Sequence, residues 1–364
     1  MTDIALPHLT VSRLTIPESL DAPDAGAFLD FIRIANAACR RDAGHSDLDY
    51  EAHGELAWWH DESDWGHAGF AAERDGVILG FAKLVYPKEE DAETAEFELW
   101  VDPDRWGEGA EEALLQAVED EARAIGRGTI QIFTLHRAEA SGPPLVPSTG
   151  FGSVPAEDRQ TVFQLENGYT LEQVERTSAF DLQGSFDTVE RMLETALAKA
   201  GADYRPIAWT SPTPEPYQEG LAYAMSRMST DVPQGGLVVD EQKWDAERVR
   251  RRDARLQAEG LTVSIACVEH VPTGTIAAYN ELTIQADHTA ASSQWGTLVL
   301  AEHRGHALGT IVKCVNLLRW RELVPESPRI TTFNAEENEH MLAINVALGF
   351  TPVSYAGAWK KILD

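Results

Sequence analysis

Residues 297–313 read Thr-Leu-Val-Leu-Ala-Glu-His-Arg-Gly-His-Ala-Leu-Gly-Thr-Ile-Val-Lys. The apolar run 298–300 ends in a polar turn, glycines follow at 305 and 309, and an apolar helical pattern begins at Ile311. A strand that passes through such a loop into a helix leaves unpaired N–H groups at the positive end of the helix dipole, and glycine lets a phosphate approach them. This stretch predicts a site for the pyrophosphate of a cofactor.

The length and composition point to a globular protein of two domains. The chain has 364 residues, of which 43% are hydrophobic and 24% charged, and a domain takes roughly 150 residues. No run of about 18 apolar residues is present, so we expect no membrane partner. Residues 1–4 lack the features of a signal peptide, and three widely spaced cysteines favour a reducing cytoplasm. No Cys/His pairs have zinc spacing, so no metal is expected.

The net charge limits the class of partner. A formal charge of −29 argues against nucleic acid, because phosphate binding needs a basic surface. The charge suits a cationic substrate, which a negative field attracts, and it equally suits an acidic surface that serves only solubility.

An internal repeat divides the chain into two halves. Gly107 matches Gly305 at an offset of 198 residues, and the strand pattern 78–84 matches 276–282 at the same offset. Further along, Gly150-Phe151 matches Gly349-Phe350 at an offset of 199. Three landmarks in the same order predict two copies of one domain, with a boundary that gives domains 1–182 and 183–364.

Within the second copy the hydrophobic periodicity predicts an alternating α/β unit, a mixed sheet with helices on both faces. A helix over 185–200 begins this half or bridges the two. The predicted strands are 204–209, 262–269, 274–285, 293–301 and 329–334, with the last strands in 350–362; the predicted helices are 215–228, 243–258, 307–323 and 336–347.

The two motifs of the second half resemble those of the GNAT N-acetyltransferase superfamily. Arg304-Gly305-His306-Ala307-Leu308-Gly309 is similar to the Arg/Gln-x-x-Gly-x-Gly/Ala loop that holds the pyrophosphate of coenzyme A, with Ala307 at the middle glycine. The second family signature, Asn-x-x-Ala-x-x-Leu-Tyr-x-x-x-Gly-Phe, is matched by Asn338, Met341, Ile344, Asn345, Gly349 and Phe350.

The resemblance implies acetyl-CoA (coenzyme A) as the cofactor. In this fold the strand before the loop binds the pantetheine arm through its N–H groups and polarises the carbonyl, the loop binds the pyrophosphate, and a neighbouring strand end splays away. The residues that the resemblance assigns to acetyl-CoA are Leu298, Val299, Leu300, Arg304, Gly305, His306, Ala307, Leu308, Gly309, Thr310, Asn334 and Asn338.

The first half departs from the family pattern at the same loop. Trp106 replaces the basic residue and Glu111 the last glycine, while Glu108 and Glu112 add carboxylates where phosphates would lie. Lys83 stands at the position of Glu281. We therefore expect domain 1–182 to be a degenerate copy without a competent cofactor loop, as in bacterial tandem GNAT proteins of the mycothiol synthase type, and domain 183–364 to be the catalytic one.

Acyl transfer to an amine needs a polarised carbonyl, a deprotonated amine and a stabilised thiolate. Glu281 is our candidate base, because the family commonly uses a carboxylate in this region, directly or through water. Its alternative role is that of a solvent-facing strand residue or a salt-bridge partner. Asn345 stands where the family has a tyrosine credited as the general acid, so it can donate a hydrogen bond to the thiolate but no proton.

The acceptor pocket of this fold comes from the first helices and their loop. Asp231, in that loop, is a candidate partner of a cationic amine, although it equally caps local structure. Tyr279, which lies two residues before Glu281, is the second candidate for substrate contact.

The sequence thus predicts an acetyl-CoA-dependent N-acetyltransferase that acts on the primary amine of a small molecule by direct attack in a ternary complex. Two alternatives stay open: a non-catalytic protein that binds or senses acyl-CoA, and an enzyme that acetylates a peptide or protein amine. We expect either a monomer with pseudo-dimeric domains or a homodimer.

Overall fold

In the computed structural model, the chain is described over residues 9–89 and 91–364. The reading of residues 1–4 as free of a signal peptide lies outside these residues. The chain forms two compact units. Unit 1 comprises the described residues up to Gln173, with Gly236–Asp240 and Ala356–Asp364, and unit 2 comprises Val174–Gly235 and Glu241–Tyr355.

Unit 1 is built around a sheet in the order β1-β2-β3-β4-β5, in which only the pair β4–β5 is parallel. Helices α1 and α2 share one apolar core with β3 and β4, and α3 packs against β2, β3 and β4. The elements are β1 (Leu9–Arg13), α1 (Gly26–Ala43), α2 (Ala52–His60), β2 (Trp65–Arg74), β3 (Val77–Pro87), β4 (Thr94–Val101), α3 (Ala110–Ala124), β5 (Thr129–Arg137), β6 (Pro144–Leu145), β7 (Val154–Pro155) and α4 (Arg159–Glu166).

Unit 2 repeats this pattern in the order β9-β10-β11-β12-β13, again with one parallel pair, β12–β13, and adds β8 antiparallel to β13. The elements are β8 (Thr170–Asp181), α5 (Asp187–Ala200), β9 (Tyr204–Thr210), α6 (Glu215–Asp231), α7 (Ala246–Ala258), β10 (Thr262–His270), β11 (Thr275–Ile284), β12 (Ser292–Val299), α8 (Leu308–Leu323), β13 (Arg329–Ala335), α9 (Glu339–Leu348) and β14 (Thr351–Ile362).

Helices cover both faces of the sheet in unit 2. The adjacent residues Leu298 and Val299 of β12 point to opposite faces, as strand geometry requires. Leu298 packs into the core made by α6 and α7, and Val299 packs against the core of α5 and α8. The predicted fold class, a mixed α/β sheet with helices on both faces in two tandem copies, is confirmed.

The compact units do not follow the predicted boundary between residues 182 and 183. From Val174 onward β8 belongs to unit 2, because its residues 175–181 pair with β13. The chain after Ala356 belongs to unit 1, where the N–H of Leu363 donates to the carbonyl of Gly128 at 2.8 Å. Sequence periodicity reports each strand but carries no information on which sheet pairs with it, so contiguous halves were the simplest expectation.

Local signals set the ends of the helices that flank the predicted site. The side chain of Asn338 caps α9 by accepting from the N–H of Met341, and Gly349, with φ 106°, ends it in the left-handed conformation. The predicted strands and helices agree with the structure to within a few residues at each end. The prediction of several strands within 350–362 is wrong, since the structure has a single strand, Thr351–Ile362.

Candidate functional site

The parallel strands β12 and β13 pair over only three residues. Their register runs from Ser292 opposite Ile330 to Gln294 opposite Thr332, and beyond this point the strands have no mutual pairing. The space between them is called the strand gap below. Since β12 continues into the 304–310 loop, the gap and the predicted pyrophosphate site lie at the same end of this strand.

Only part of the predicted 298–300 backbone can serve a ligand in the strand gap. The N–H of Leu300 donates to the carbonyl of Ala277 on β11 at 3.0 Å. Alternate residues of a strand direct their N–H groups to the same edge, so Leu298 also faces β11 and Val299 faces the gap. We therefore retain Val299 as a backbone donor in the gap and withdraw Leu298 and Leu300 from that role.

The loop after β12, residues 304–310, is called the anion loop. In the described part of the chain, the N–H groups from Gly305 to Thr310 donate no hydrogen bond. Gly305 and Ala307 hold the left-handed conformation, with φ 89° and 60°, and a Cβ added at Gly305 would have no neighbour within 4 Å. Ala307, Leu308, Gly309 and Thr310 lead into α8, so the free donors sit at the positive end of a long helix.

Basic side chains surround the anion loop. Arg304 is exposed, and its guanidinium donates to the backbone carbonyls of Val299 and Asp231, at 3.3 Å and 3.2 Å. His303 Nδ1 lies 3.0 Å from the hydroxyl of Tyr204, and the ring of His306 lies 4.9 Å from the ring of Tyr204. Burial, reinforced by a neighbouring histidine, lowers the pKa of His303.

The three predicted asparagines fall into two groups. Asn345 of α9 is buried and donates from Nδ2 at 2.6 Å to Oδ1 of Asn334, which lies on β13 beyond its part paired with β12. Its own Oδ1 has no partner among the described residues. Asn338 instead caps α9 through its side chain, which is the structural alternative to cofactor contact for this residue.

Glu281 occupies a buried position on β11. Its Oε1 lies 2.9 Å from Nη1 of Arg252 on α7, so it is a salt-bridge partner and not a solvent-facing strand residue. Burial raises the pKa of Glu281 above its usual value, and Arg252 opposes that rise. A carboxyl with a raised pKa and a cationic partner is typical of both acid–base sites and structural ion pairs.

The two candidate substrate residues have intramolecular contacts. The carboxylate of Asp231 accepts from Nη2 of Arg227 at 2.5 Å, as a local ion pair along α6. Tyr279 is buried in the core made by α6 and α7, and burial and Glu281 raise the pKa of its hydroxyl. A Cβ at Gly296 on β12 would meet the Tyr279 hydroxyl at 2.9 Å, so this ring lies against the bulged part of the strand.

Two charged residues near the site were not singled out in the sequence. Arg252 lies in the arginine-rich stretch 248–255, a pattern typical of a solvated helix face, but it is buried against Glu281. Lys313 lies one turn beyond Gly309 on α8, is fully buried, and its ammonium has no hydrogen-bond partner in the described part of the chain. Burial lowers the pKa of Lys313 to about 7. A lysine inside an otherwise apolar helical face was the only available signal.

The donors of unit 2 suit a pyrophosphate-bearing cofactor. The anion loop offers free backbone N–H groups without a carboxylate, Val299 faces the gap beside it, and Asn345 contacts Asn334 on the β13 side of that gap. Among residues 9–89 and 91–364 no cluster of histidine, cysteine and carboxylate side chains suits a metal ion. No helix within the same ranges is long and apolar enough to span a membrane.

Comparison with known proteins places the fold. Residues 29–141 match the Acetyltransferase (GNAT) family, so the match falls in unit 1 although the two clearest motifs lie in unit 2. No curated protein matches the sequence. The tandem GNAT protein from the clavulanic acid biosynthesis pathway superposes with a TM-score of 0.73 at 22% identity over 98% of each chain.

Two further solved structures are similar at lower identity. A GCN5-related N-acetyltransferase from Sphaerobacter thermophilus has a TM-score of 0.59 and 14% identity, over 97% of this chain and 95% of its own. A glucosamine N-acetyltransferase region of a fungal multi-domain GH3 β-N-acetylglucosaminidase has a TM-score of 0.58 and 13% identity, over 98% of this chain and 38% of its own. The chain therefore has the fold of the tandem GNAT proteins, and its residues 29–141 match the GNAT acetyltransferase family.

Proposed function

We propose that the protein is an acetyl-CoA-dependent N-acetyltransferase whose catalytic domain is unit 2 and whose acceptor is the primary amine of a small molecule. The observation that carries this proposal is the run of free N–H groups from Gly305 to Thr310 at the start of α8, beside the gap between β12 and β13. A helix N-terminus with unpaired donors binds phosphate oxygens, and an unpaired strand edge offers its N–H and carbonyl groups to an extended arm.

Arg304 and the anion loop would hold the pyrophosphate, while Val299 would donate its N–H to the extended arm. Bound acetyl-CoA supplies an activated thioester. The chain's own contribution is to orient that thioester, exclude water and manage protons. Asn345 would direct its Nδ2 donor toward the sulfur end, at the cost of its hydrogen bond to Asn334.

Glu281 would take the proton from the acceptor ammonium, directly or through a water. Its raised pKa brings the carboxyl closer to neutral pH, where a general base is most effective. Arg252 would keep Glu281 ionised and fixed in position between turnovers. Glu281 would thus be both the salt-bridge partner of Arg252 and the base, because proton transfer needs a carboxylate that is fixed in position.

Charge and neighbouring folds support an amine acceptor. The formal charge of −29 favours approach of a cation, and one protein of similar fold is described as a glucosamine N-acetyltransferase region. Tyr279 would line the acceptor side of β11. Asp231 would receive an ammonium only by exchanging it for Arg227. We also propose that the protein works in the cytoplasm, because the three cysteines of the chain are free and buried.

Calorimetry with acetyl-CoA, followed by a thiol-release assay with small primary amines, tests the proposal. We expect binding that weakens about tenfold or more in R304A, because that guanidinium would pair with a phosphate. We expect turnover that falls at least about 100-fold in E281Q with little change in acetyl-CoA affinity. A folded protein that binds no acetyl-CoA would refute the proposal.

A non-catalytic acyl-CoA-binding protein is the second candidate. It is favoured by Asn345, which cannot donate a proton, and by the engagement of Glu281 with Arg252. Acetyl-CoA binding without thiol release across both small amines and peptides would select this candidate. Turnover with peptides alone would instead indicate a peptide or protein amine as the acceptor.

A further inference from the structure

The loop of unit 1 that matches the anion loop is closed by a side chain of its own helix. Gly107 and Gly109 hold left-handed conformations, with φ 88° and 91°, as the glycine-rich loop requires. The N–H of Gly107 donates to Oε1 of Glu111 at 2.6 Å. Glu111 is only 2% exposed, and its Oε2 has no partner in the described part of the chain. A buried carboxylate is therefore directed into the loop where unit 2 has free donors.

The other residues in which this loop differs from the anion loop also have partners within unit 1. The guanidinium of Arg74 pairs with the Glu108 carboxylate at 3.1 Å. The ring of Trp106 lies beneath the guanidinium of Arg159, 4.4 Å from it, and contacts Phe163. The position that is basic in the second half is thus an aromatic residue inside a packed cluster, and no cation at that position faces an incoming phosphate.

A second intramolecular ligand lies in unit 1 where the parallel strands β4 and β5 stop pairing, after Phe97 and Ile132. This place corresponds to the strand gap of unit 2. Lys83 on β3 lies opposite Glu98, the next residue of β4. The ammonium of Lys83 lies 2.7 Å from Glu98 Oε2 and 3.1 Å from Glu55 Oε1 on α2. Three aromatic rings surround the same ammonium at 4.6–5.6 Å, those of Trp58, Tyr50 and Trp100.

This arrangement has the chemistry of an ammonium-binding cage. Aromatic faces and carboxylates together stabilise a desolvated cation. Burial alone would lower the pKa of Lys83, yet Glu98 and Glu55 raise it above its usual value. The hydroxyl of Tyr50 holds Glu98 at 2.6 Å, and the Glu98 side chain is 43% exposed whereas that of Glu55 is 10% exposed. The cage therefore opens to solvent at Glu98.

We propose that unit 1 is a GNAT-type domain whose two ligand positions are filled by the chain itself: the Glu111 carboxylate takes the place of a phosphate on the loop, and the Lys83 ammonium takes the place of an acceptor amine in the cage. The assignment of these positions rests on the proposed function of unit 2. These two internal groups explain how unit 1 keeps the family pattern over residues 29–141 although the N–H of Gly107 is not free.

The substitution E111G restores the glycine of the family loop and tests the first position. Calorimetry of the full chain with coenzyme A should show one more bound equivalent in E111G than in the wild type. E112G is the matched control, because it removes a neighbouring, exposed carboxylate from the same helical turn without freeing the Gly107 N–H. E111Q is a second control, since its amide oxygen can still accept that hydrogen bond, and it should leave the stoichiometry unchanged.

The outcomes separate this inference from the proposed function of unit 2. If the wild type binds no coenzyme A but E111G binds one equivalent, unit 2 is misassigned and the inference on Glu111 stands. If E111G is folded by circular dichroism and binds no more coenzyme A than the wild type and E112G, the Glu111 carboxylate is not a stand-in for phosphate.

The cage is tested by removing the lysine and supplying its missing atoms. K83A lacks a fragment equivalent to n-propylammonium, and this cation should raise the Tm of K83A by about 3 °C or more at millimolar concentration, with a change in tryptophan fluorescence from Trp58 and Trp100. n-Propanol and sodium chloride should not do so, and the wild type should be unaffected.

K83A leaves the carboxylates of Glu55 and Glu98 without their cation. In K83A/E55Q only one carboxylate, the more exposed Glu98, lacks a cation. It should bind n-propylammonium more weakly than K83A but still in preference to n-propanol. Equal effects of the amine and the alcohol on both variants would show that the site is a nonspecific cavity and would overturn the cage.

Discussion

Glu281 of β11 and Arg252 of α7 form a buried ion pair whose atoms are 2.9 Å apart, and unit 1 also joins a strand residue to a helix residue by a buried ion pair, with the signs of the charges exchanged. There, Lys83 stands at the position of Glu281 and pairs with Glu55 of α2, 3.1 Å apart. Two buried charges of opposite sign can trade places because each satisfies the other, whereas either one alone would be costly. The exchange indicates that this position requires a pair, while its chemistry differs between the units.

Removing Arg252 should expose the cost of the buried Glu281 carboxylate. We expect R252M to lose about 3–5 kcal/mol of unfolding free energy at pH 8, because the substitution strands a charge. The pKa of Glu281 is already above its usual value in the folded state, so the folded state holds its proton more tightly than the unfolded state. The free energy of unfolding therefore falls as the pH rises from the unfolded pKa of Glu281 through its higher folded pKa. The stability difference between R252M and the wild type should be smaller at pH 5 than at pH 8. Urea unfolding at both pH values measures it.

A deficit that is equal at pH 5 and pH 8 would contradict this account. R251M is the control, since Arg251 is exposed and pairs with Glu247 one turn away, a kind of pair that contributes little to stability.

Exchanging the charges in unit 2 should separate structure from catalysis. The double variant E281K/R252E reverses the signs of the pair, and we expect it to be more stable than either single variant because the two charges again compensate. If Glu281 is the base, thiol release should fall at least about 100-fold in the double variant while acetyl-CoA affinity changes little. Retained turnover in a folded double variant would leave Glu281 with a structural role alone.

The sequence predicted the fold better than it predicted the site. Apolar periodicity and the repeat at Gly107 and Gly305 were sufficient for two mixed α/β copies, because each element carries its own pattern. The assignment of β8 to unit 2 and of the end of β14 to unit 1 was not predictable in this way. Each of these strands has the same periodicity whichever unit it joins. Strand partners depend on contacts between residues far apart in sequence.

At the site, backbone features were predictable and side-chain partners were not. Glycine spacing indicated the free N–H groups at Gly305, because the loop conformation depends on local residues. Arg252 belongs to an arginine-rich run that reads as a solvated face, and its burial follows only from the packing of α7 against β11. Asn338 was assigned to the cofactor by resemblance, yet the residue caps a helix through its side-chain oxygen.

The role of Asn338 can be decided by comparing stability with affinity. N338A should lose about 1 kcal/mol of unfolding free energy, because the N–H of Met341 loses its side-chain acceptor. N338S should retain most of that stability, since serine also caps. If capping is the whole role, acetyl-CoA affinity should be the same in both variants and in the wild type. A tenfold loss of affinity in both, with stability kept in N338S, would restore the cofactor contact.

Placing the unit 1 glutamate in unit 2 should close the anion loop. Gly309 aligns with Glu111, and a Cβ at Gly309 would meet Ile344 and Val299 at an ordinary 3.5 Å. G309A should therefore fold and bind acetyl-CoA with a modest loss of affinity. G309E should fold but lose binding by about 100-fold or more, because its carboxylate would compete with and repel phosphate. Calorimetry compares the two, and equal affinities would show that this turn does not carry the pyrophosphate.

Lys313 makes the stability of unit 2 depend on pH in a way that one substitution reveals. The pKa of Lys313 is lowered to about 7 by burial, against 10.5 in its ordinary state. Between these values the unfolded state binds a proton that the folded state does not, so stability rises with pH by about 1.4 kcal/mol per unit. Below pH 7 both states are protonated and the full cost of burying the ammonium is present.

K313M keeps the length of the side chain and removes the titration. We expect K313M to be more stable than the wild type at pH 7 by more than about 1 kcal/mol, with a difference that narrows steadily toward pH 10.5. Denaturant unfolding of both proteins at several pH values gives that difference directly, and other titrating groups cancel because they are common to both chains. A difference that stays constant with pH would mean that Lys313 keeps an ordinary pKa and finds a partner. A K313M protein less stable than the wild type at pH 7 would mean that its ammonium contributes a net favourable interaction to the fold.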